Sequence, residues 1–109
     1  MTPDDLIYLQ DIFERIVRIE IYTASGRTAF LENAMIQDAV IRNFEVIGEA
    51  TKRLSPEIRQ AYPDVPWRQI AGLRDVLIHN YGQVDLLEIW GIITDDLPLL
   101  KYTLENLLN

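Results

Sequence analysis

Apolar residues recur at intervals of three and four along almost the whole chain, which is the spacing of one helix face. In the first segment these residues are Leu6, Leu9, Phe13, Ile16 and Val17. No segment alternates strictly between apolar and polar residues, as a half-buried strand would. The predicted fold class is therefore all-α, an up-and-down bundle of four to five helices. We expect residues 1–109 to form a single domain, because this length can bury a sizeable core.

Local signals place the first helix boundaries. Thr2 is a candidate N-cap, and Pro3 suits the first helical position. Gly26 predicts a break after this helix. A second long helix is predicted over about 29–54. Gly48 lies inside it and costs about 1 kcal/mol of helix propensity, which indicates close approach of another helix.

Prolines and capping residues divide the rest of the chain. Ser55, followed by a proline, predicts the start of a short helix, and a further helix is expected from about Trp67 to Ile78. Asp85 is a candidate N-cap of the last helical segment, with a glutamate three residues later. Pro98 is expected to kink that segment or split it in two.

Composition excludes several classes of function. The chain contains no cysteine, so disulfides, thiolate metal sites and cysteine nucleophiles are ruled out. A net charge of −7 argues against broad, nonspecific binding to nucleic acid. No apolar run approaches the roughly 18 residues of a membrane span, and the first 30 residues lack a signal-peptide pattern. We expect a cytoplasmic protein that needs no cofactor or metal.

The stretch "LRDVLIHNYGQVD" (73–85) holds the single histidine of the chain. His79 follows Arg74 by five positions and precedes Tyr81 by two. A histidine can move protons to and from ribose and phosphate oxygens near neutral pH. An arginine can bind the phosphate and stabilise developing negative charge. A tyrosine can stack on a base, so the trio suits phosphodiester cleavage without a metal.

Helix geometry complicates this interpretation. Residues five apart are separated by about 140° around a straight helix, so Arg74 and His79 cannot face one point from mid-helix. They can do so if the helix ends near Ile78, or if a second copy of the chain supplies one group. Asp75, four residues before His79, could orient the imidazole. Alternatively, Asp75 forms an ordinary surface pair and the histidine is structural, at a helix end where cations are favoured.

Three runs carry a resemblance to a known family: "VIGEATKRL" (46–54), "YPDVPWRQIAGLRDVLIHNYGQVD" (62–85) and "LLEIWGIITDDLPLL" (86–100). Together they resemble the HepT-like toxins of the HEPN superfamily of helical ribonucleases. The resemblance implies a homodimer whose two motif copies meet in a cleft. It also implies a metal-independent endoribonuclease that acts as a toxin on tRNA or mRNA, with Arg74 and His79 as catalytic residues.

The resemblance further implies a protein partner. In the family this partner is an MntA-like minimal nucleotidyltransferase antitoxin, which adenylylates the motif tyrosine, here Tyr81. The position after this tyrosine is often aromatic in relatives but is Gly82 here, a change that could loosen the turn and remove a base-stacking or packing surface. Asn80 occupies a variable position and leaves the motif intact.

Other polar and aromatic residues are weaker candidates for the functional site. Arg42, Asn43 and Glu49 lie on the predicted second helix, which can border the cleft in HEPN folds. They would position RNA or hold Arg74, or they would form a solvated face or ion pairs within the bundle. Two tryptophans are assigned to the core or to the dimer interface, namely Trp67 and Trp90.

Two other functional classes remain open from the sequence. One is a non-catalytic subunit that binds a nucleotide or substrate for a nucleotidyltransferase, which the acidic charge favours slightly. The other is a purely structural helical bundle that mediates assembly, which leaves the polar motif without a task. The intact motif favours the ribonuclease.

Overall fold

The computed structural model describes residues 1–79 and 85–109, and describes side chains for 1–73 and 85–109. Within these ranges the chain forms seven α-helices, one π-helical turn and no strand. The α-helices are α1 (Pro3–Tyr22), α2 (Arg27–Glu32), α3 (Ala34–Lys52), α4 (Pro56–Ala61), α5 (Trp67–His79), α6 (Leu86–Gly91) and α7 (Leu97–Leu108). The predicted all-α class is confirmed.

The start of α1 follows the prediction and adds a buried carboxylate. Thr2 caps the helix by accepting a hydrogen bond from the backbone N–H of Asp5 at 3.0 Å. The carboxylate of Asp5 in turn accepts a hydrogen bond from the backbone N–H of Thr2, and Asp5 is 1% exposed. Its carboxylate also accepts bonds from the N–H and hydroxyl of Ser55, at 2.9 and 2.7 Å. Ser55 thus lies at the N-cap position of α4 as predicted, but its hydroxyl ties α4 to α1 and does not cap α4.

The predicted continuous helix over 29–54 is wrong, because Asn33 divides it into α2 and α3. Asn33 has extended backbone angles, and its side-chain oxygen accepts from the N–H groups of Met35 and Ile36 at 2.9 and 3.2 Å. Asparagine is among the best N-caps. The apolar spacing runs through this position unchanged, so periodicity alone does not reveal the break. The predicted break at Gly26 is confirmed, since this residue has φ +97°, which favours glycine.

The core lies between the long helices. α3 packs against both α1 and α5, and α1 also packs against α7. The largest fully buried apolar side chains are Phe30, Phe44, Leu9, Ile12, Ile16, Ile19, Ile47, Leu100, Leu104 and Val40. Gly48 is buried on α3, as its predicted role in close helix approach requires.

Both tryptophans contact the core. Trp67 is 5% exposed, and its indole N–H donates to the carbonyl of Tyr62 at 2.9 Å. Trp90 is half-buried, and its ring stacks on Phe30 with centroids 5.5 Å apart. The sequence assigned both tryptophans to the core or to a dimer interface, and the structure places both against the core. Neither side chain lacks a packing partner.

The α-helical pattern of the C-terminal segment is interrupted next to Pro98, although the backbone stays right-handed helical at each junction. Asp85 caps α6 by accepting from the N–H groups of Leu87 and Glu88 at 3.0 and 3.2 Å. A π-helical turn, Ile92–Asp96, separates α6 from α7, and Pro98 lies in the first turn of α7. A proline has no N–H to donate to the preceding turn, so this junction tolerates it. Among the described helices, none is both long and apolar enough to cross a bilayer.

Candidate active site on α5

The helix that carries the motif begins at a well-defined turn. The N–H of Trp67 donates to the carbonyl of Val65 at 2.8 Å, and the N–H of Ile70 donates to Pro66 at 3.0 Å. Trp67, Ile70 and Ala71 are all buried. Because these side chains are buried in the core, they fix the position of the first turns of α5.

Arg74 and His79 both lie on α5, and His79 is its last residue. α5 is described as far as His79 and the residue after it lies outside the described part of the chain, so the predicted end of this helix near Ile78 stays a prediction. Their side chains, and that of Asp75, lie outside the part of the chain whose side chains the structure describes. Asn80, Tyr81 and Gly82 lie outside the described residues altogether. The assignments made to these residues stay predictions.

α3 packs directly against α5 and presents charged side chains to solvent. Arg42 is 72% exposed, and its guanidinium lies 3.5 Å from the carboxylate of Glu45. Glu49 forms an ion pair with Arg53 at 3.1 Å. The pKa of Arg53 is raised, first by a hydrogen bond with Tyr8 and then by Glu49. Arg42 and Glu49 thus take part in ion pairs on the helix surface, and the expectation that they position RNA or hold Arg74 stays a prediction.

Asn43 occupies a different environment from Arg42 and Glu49. It is 4% exposed, and its amide N–H donates to the carbonyl of Ala39 at 2.7 Å. Its side-chain oxygen accepts from the guanidinium of Arg15 on α1 at 3.4 Å. Asn43 therefore links α3 to α1 inside the bundle. Its expected role toward RNA or Arg74 stays a prediction.

A groove of about 480 Å³ separates α1 from the exposed side of α3. Tyr8 and Asp11 line it from α1, while α3 contributes two arginines, two glutamates and a small apolar floor. Sequence reasoning did not single out Tyr8, Asp11 or Arg15. Their helical spacing shows only that they share one side of α1, and the pairing of α1 with α3 is needed to bring them to the groove. In the described part of the chain, no cluster of three or more acidic or histidine side chains could hold a metal.

The helical bundle has the all-α architecture of the HEPN superfamily, with the arginine–histidine motif on a helix packed against α3. The family is defined more narrowly by comparison with known proteins. Residues 12–107 match the family described as ribonuclease HepT-like. The chain belongs to this family, as its resemblance in sequence predicted.

Individual relatives carry related names. The chain is 42% identical over 101 residues to a Thermococcus cleftensis protein named probable ribonuclease HepT, covering 92% of each. It is 37% identical over 99 residues to a Methanocaldococcus jannaschii protein provisionally named as an RNase, covering 90% of this chain and 91% of that protein.

A third relative is longer than this chain. It is a Methanocaldococcus jannaschii protein named as a gamma-glutamylcyclotransferase and, provisionally, an RNase. The two are 44% identical over 102 residues, which cover 93% of this chain but 46% of the relative. This chain therefore spans less than half the length of that protein. No solved structure matches the chain.

Proposed function

We propose that this protein is a metal-independent endoribonuclease, the toxin of a toxin–antitoxin pair. The observation that supports this most is the position of Arg74 and His79 on one core-anchored helix in a chain of the HepT-like ribonuclease family. The relatives named as ribonucleases are consistent with the same class of activity.

The chemistry follows from the two side chains. The ribose 2′-oxygen attacks the adjacent phosphorus, an O2′–P bond forms, and the P–O5′ bond breaks. His79 takes the 2′-hydroxyl proton, or returns a proton to the departing 5′-oxygen. Arg74 binds the phosphate and stabilises the charge that develops on its oxygens. Asp75 orients the imidazole as a positioning residue.

A homodimer solves the angular problem of the motif. On a regular helix, Arg74 and His79 project about 140° apart, so a single α5 does not direct both at one phosphate. Two copies of α5 around a shared cleft supply two arginines and two histidines. One histidine can then act as the base while the other acts as the acid.

Tyr81 is the proposed point of control. An MntA-like nucleotidyltransferase antitoxin would transfer AMP from ATP to its hydroxyl, which loses its proton as pyrophosphate leaves. The added phosphate and nucleotide would fill the cleft and neutralise the positive charge of Arg74 that RNA requires. The toxin would thereby be switched off without being unfolded.

RNA cleavage in the presence of a chelator tests this function. Wild-type protein incubated with total RNA and excess chelator is expected to release fragments that end in a 2′,3′-cyclic phosphate. The alternative, a nucleotide- or substrate-binding subunit of a nucleotidyltransferase complex, predicts intact RNA and nucleotide binding that depends on Arg74. Intact RNA would therefore refute the ribonuclease, and Arg74→Ala in a nucleotide-binding assay would then test the alternative.

A further inference from the structure

The exposed side of α3 carries a regular order of charges. We name it the outer face of α3, and it consists of Asp38, Arg42, Glu45, Val46, Glu49 and the C-cap residue Arg53. At 100° per residue these six positions fall within an arc of about 100°. The face borders the groove that α1 lines with Tyr8 and Asp11. A concave surface beside a helix of mixed charge is suited to receive another helix.

We propose that the outer face of α3 is the contact surface of a symmetric dimer, in which it lies antiparallel to α3 of a second copy of this chain. This proposal deepens the homodimer of the proposed function and rests on it. In an interface with two-fold symmetry the same patch meets itself, so the patch must be complementary to its own reverse. Four charges of the outer face meet this condition, namely Asp38, Arg42, Glu49 and Arg53.

One antiparallel register pairs opposite charges at four of the six positions of this face, while the two copies of Glu45 lie next to each other at the axis. In this register the two-fold axis passes between residues 45 and 46. The numbers of two residues that face each other across the interface then add up to 91. Arg42 then faces Glu49 of the partner subunit. Asp38 likewise faces Arg53 of the partner subunit. All four side chains are on the outer face, with Arg42 and Arg53 72% and 58% exposed.

Other arrangements of the same two helices bring like charges together. Sliding the partner by one turn places Arg42 opposite Arg53, or Asp38 opposite Glu49, depending on the direction. A parallel arrangement places each residue opposite itself, so that Arg42 meets Arg42. Exposed ion pairs contribute little binding energy, but facing charges strongly discriminate between registers. The charges therefore select the register. The buried contact area of the interface would come from the two α3 helices and the groove beside each of them.

The antiparallel arrangement also brings the two motif helices to one side. Asn43 reaches α1 through Arg15 on one flank of α3. The buried Gly48 lies about 140° away on the other flank, which places α5, the second principal neighbour of α3, on that flank. The two-fold axis of an antiparallel pair is perpendicular to both helices, so both α5 helices lie on the same side of the pair. Both copies of Arg74 and His79 are then available to one cleft.

Disulfide crosslinking tests the register, and the absence of native cysteine makes each introduced thiol unique. Glu45→Cys places two thiols next to the axis, about 1.5 Å apart along the helices, and is expected to form a disulfide-linked dimer on mild oxidation. Asp38→Cys is the matched control on the same face. Its two copies would lie about 22 Å apart along the helices, beyond the reach of a disulfide.

A mixture extends the test to a specific pair. Arg42→Cys and Glu49→Cys chains are each expected to stay uncrosslinked alone, because like positions are about 10 Å apart along the helices. Mixed and oxidised, they should form a heterodimer. Circular dichroism checks that each variant is folded. Equal crosslinking of the Glu45→Cys and Asp38→Cys variants, or none for Glu45→Cys in a folded protein, would overturn the proposal.

Charge reversal gives an independent readout in sedimentation velocity. Arg42→Glu is expected to weaken dimerisation at least tenfold, and the double variant Arg42→Glu/Glu49→Arg is expected to restore it to within about threefold. Arg18→Glu is the control, since it breaks a similar pair with Glu14 on α1 and should leave dimerisation unchanged. A double variant no better than the single one would contradict the pairing. RNA cleavage is measured separately. Crosslinking without cleavage would contradict only the ribonuclease activity, and cleavage without crosslinking would contradict only the proposed interface.

Discussion

Replacing Asp5 by asparagine removes the charge from a buried group that joins two distant parts of the chain. The Asp5 carboxylate is 1% exposed and accepts hydrogen bonds from Thr2 at the start of α1 and from Ser55 before α4. The asparagine keeps the size of the side chain but presents an amide N–H to groups that are themselves donors. We therefore expect the variant to fold with reduced stability.

The magnitude follows from the pKa of the carboxyl. Burial alone would raise it, but the hydrogen bonds from Ser55 and Thr2 outweigh burial and lower it from 3.8 to about 2. At about 1.4 kcal/mol per unit, ionised Asp5 contributes about 2 kcal/mol to the free energy of unfolding. Because the folded-state pKa is the lower one, this contribution is complete above pH 4 and is lost as the pH falls towards 2. Roughly half remains at pH 3.

Urea unfolding at several pH values measures this effect. At pH 7 Asp5→Asn is expected to lower the free energy of unfolding by about 2 kcal/mol, or Tm by roughly 10 °C. The difference from wild type should shrink by about half at pH 3. Asp4→Asn, an exposed neighbour in the same turn, should cost less than about 0.5 kcal/mol. A loss below 0.5 kcal/mol for Asp5→Asn at pH 7, or an equal difference at pH 3, would refute the reasoning.

Two further predictions concern the motif. Tyr81→Phe removes the hydroxyl that would accept an adenylate, so the variant is expected to stay toxic when its nucleotidyltransferase partner is co-expressed; mass spectrometry should find no adenylate on it, and neutralisation as efficient as for wild type would count against Tyr81. Asp75→Asn is expected to slow RNA cleavage about fivefold or more at unchanged Tm, because the imidazole loses its orienting partner; an unchanged cleavage rate would remove Asp75 from the mechanism.

Helix boundaries were predictable where the signal is local. Thr2 and Asp85 cap their helices through bonds to residues two or three positions away, and such bonds are written in short sequence patterns. Asn33 carries the same kind of local signal, but the apolar spacing on both sides favoured one continuous helix. Only the structure reveals that the chain turns there.

Contacts between distant segments were not predictable. Ser55 predicts the start of a short helix, but the sequence does not show that its hydroxyl bonds Asp5 fifty residues earlier. For Asn43 the sequence left a cleft role and a role within the bundle open, and its bond to Arg15 inside the bundle was not predictable. Periodicity shows which residues share a helix face, but not which helix packs against that face. The motif itself was visible because its residue types suit the proposed chemistry, whereas the proposed contribution of a second copy rests on geometry that no single chain contains.

The cleavage rate of the His79→Ala variant tests the central claim most directly. Wild-type and variant protein are incubated with the same RNA under excess chelator, after matching Tm values show that both are folded. The account predicts that wild type cleaves and that the variant is slower by about 100-fold or more, because general acid–base catalysis contributes at least that factor. Cleavage by a folded His79→Ala variant at the wild-type rate would show that the histidine is not the proton-transferring group.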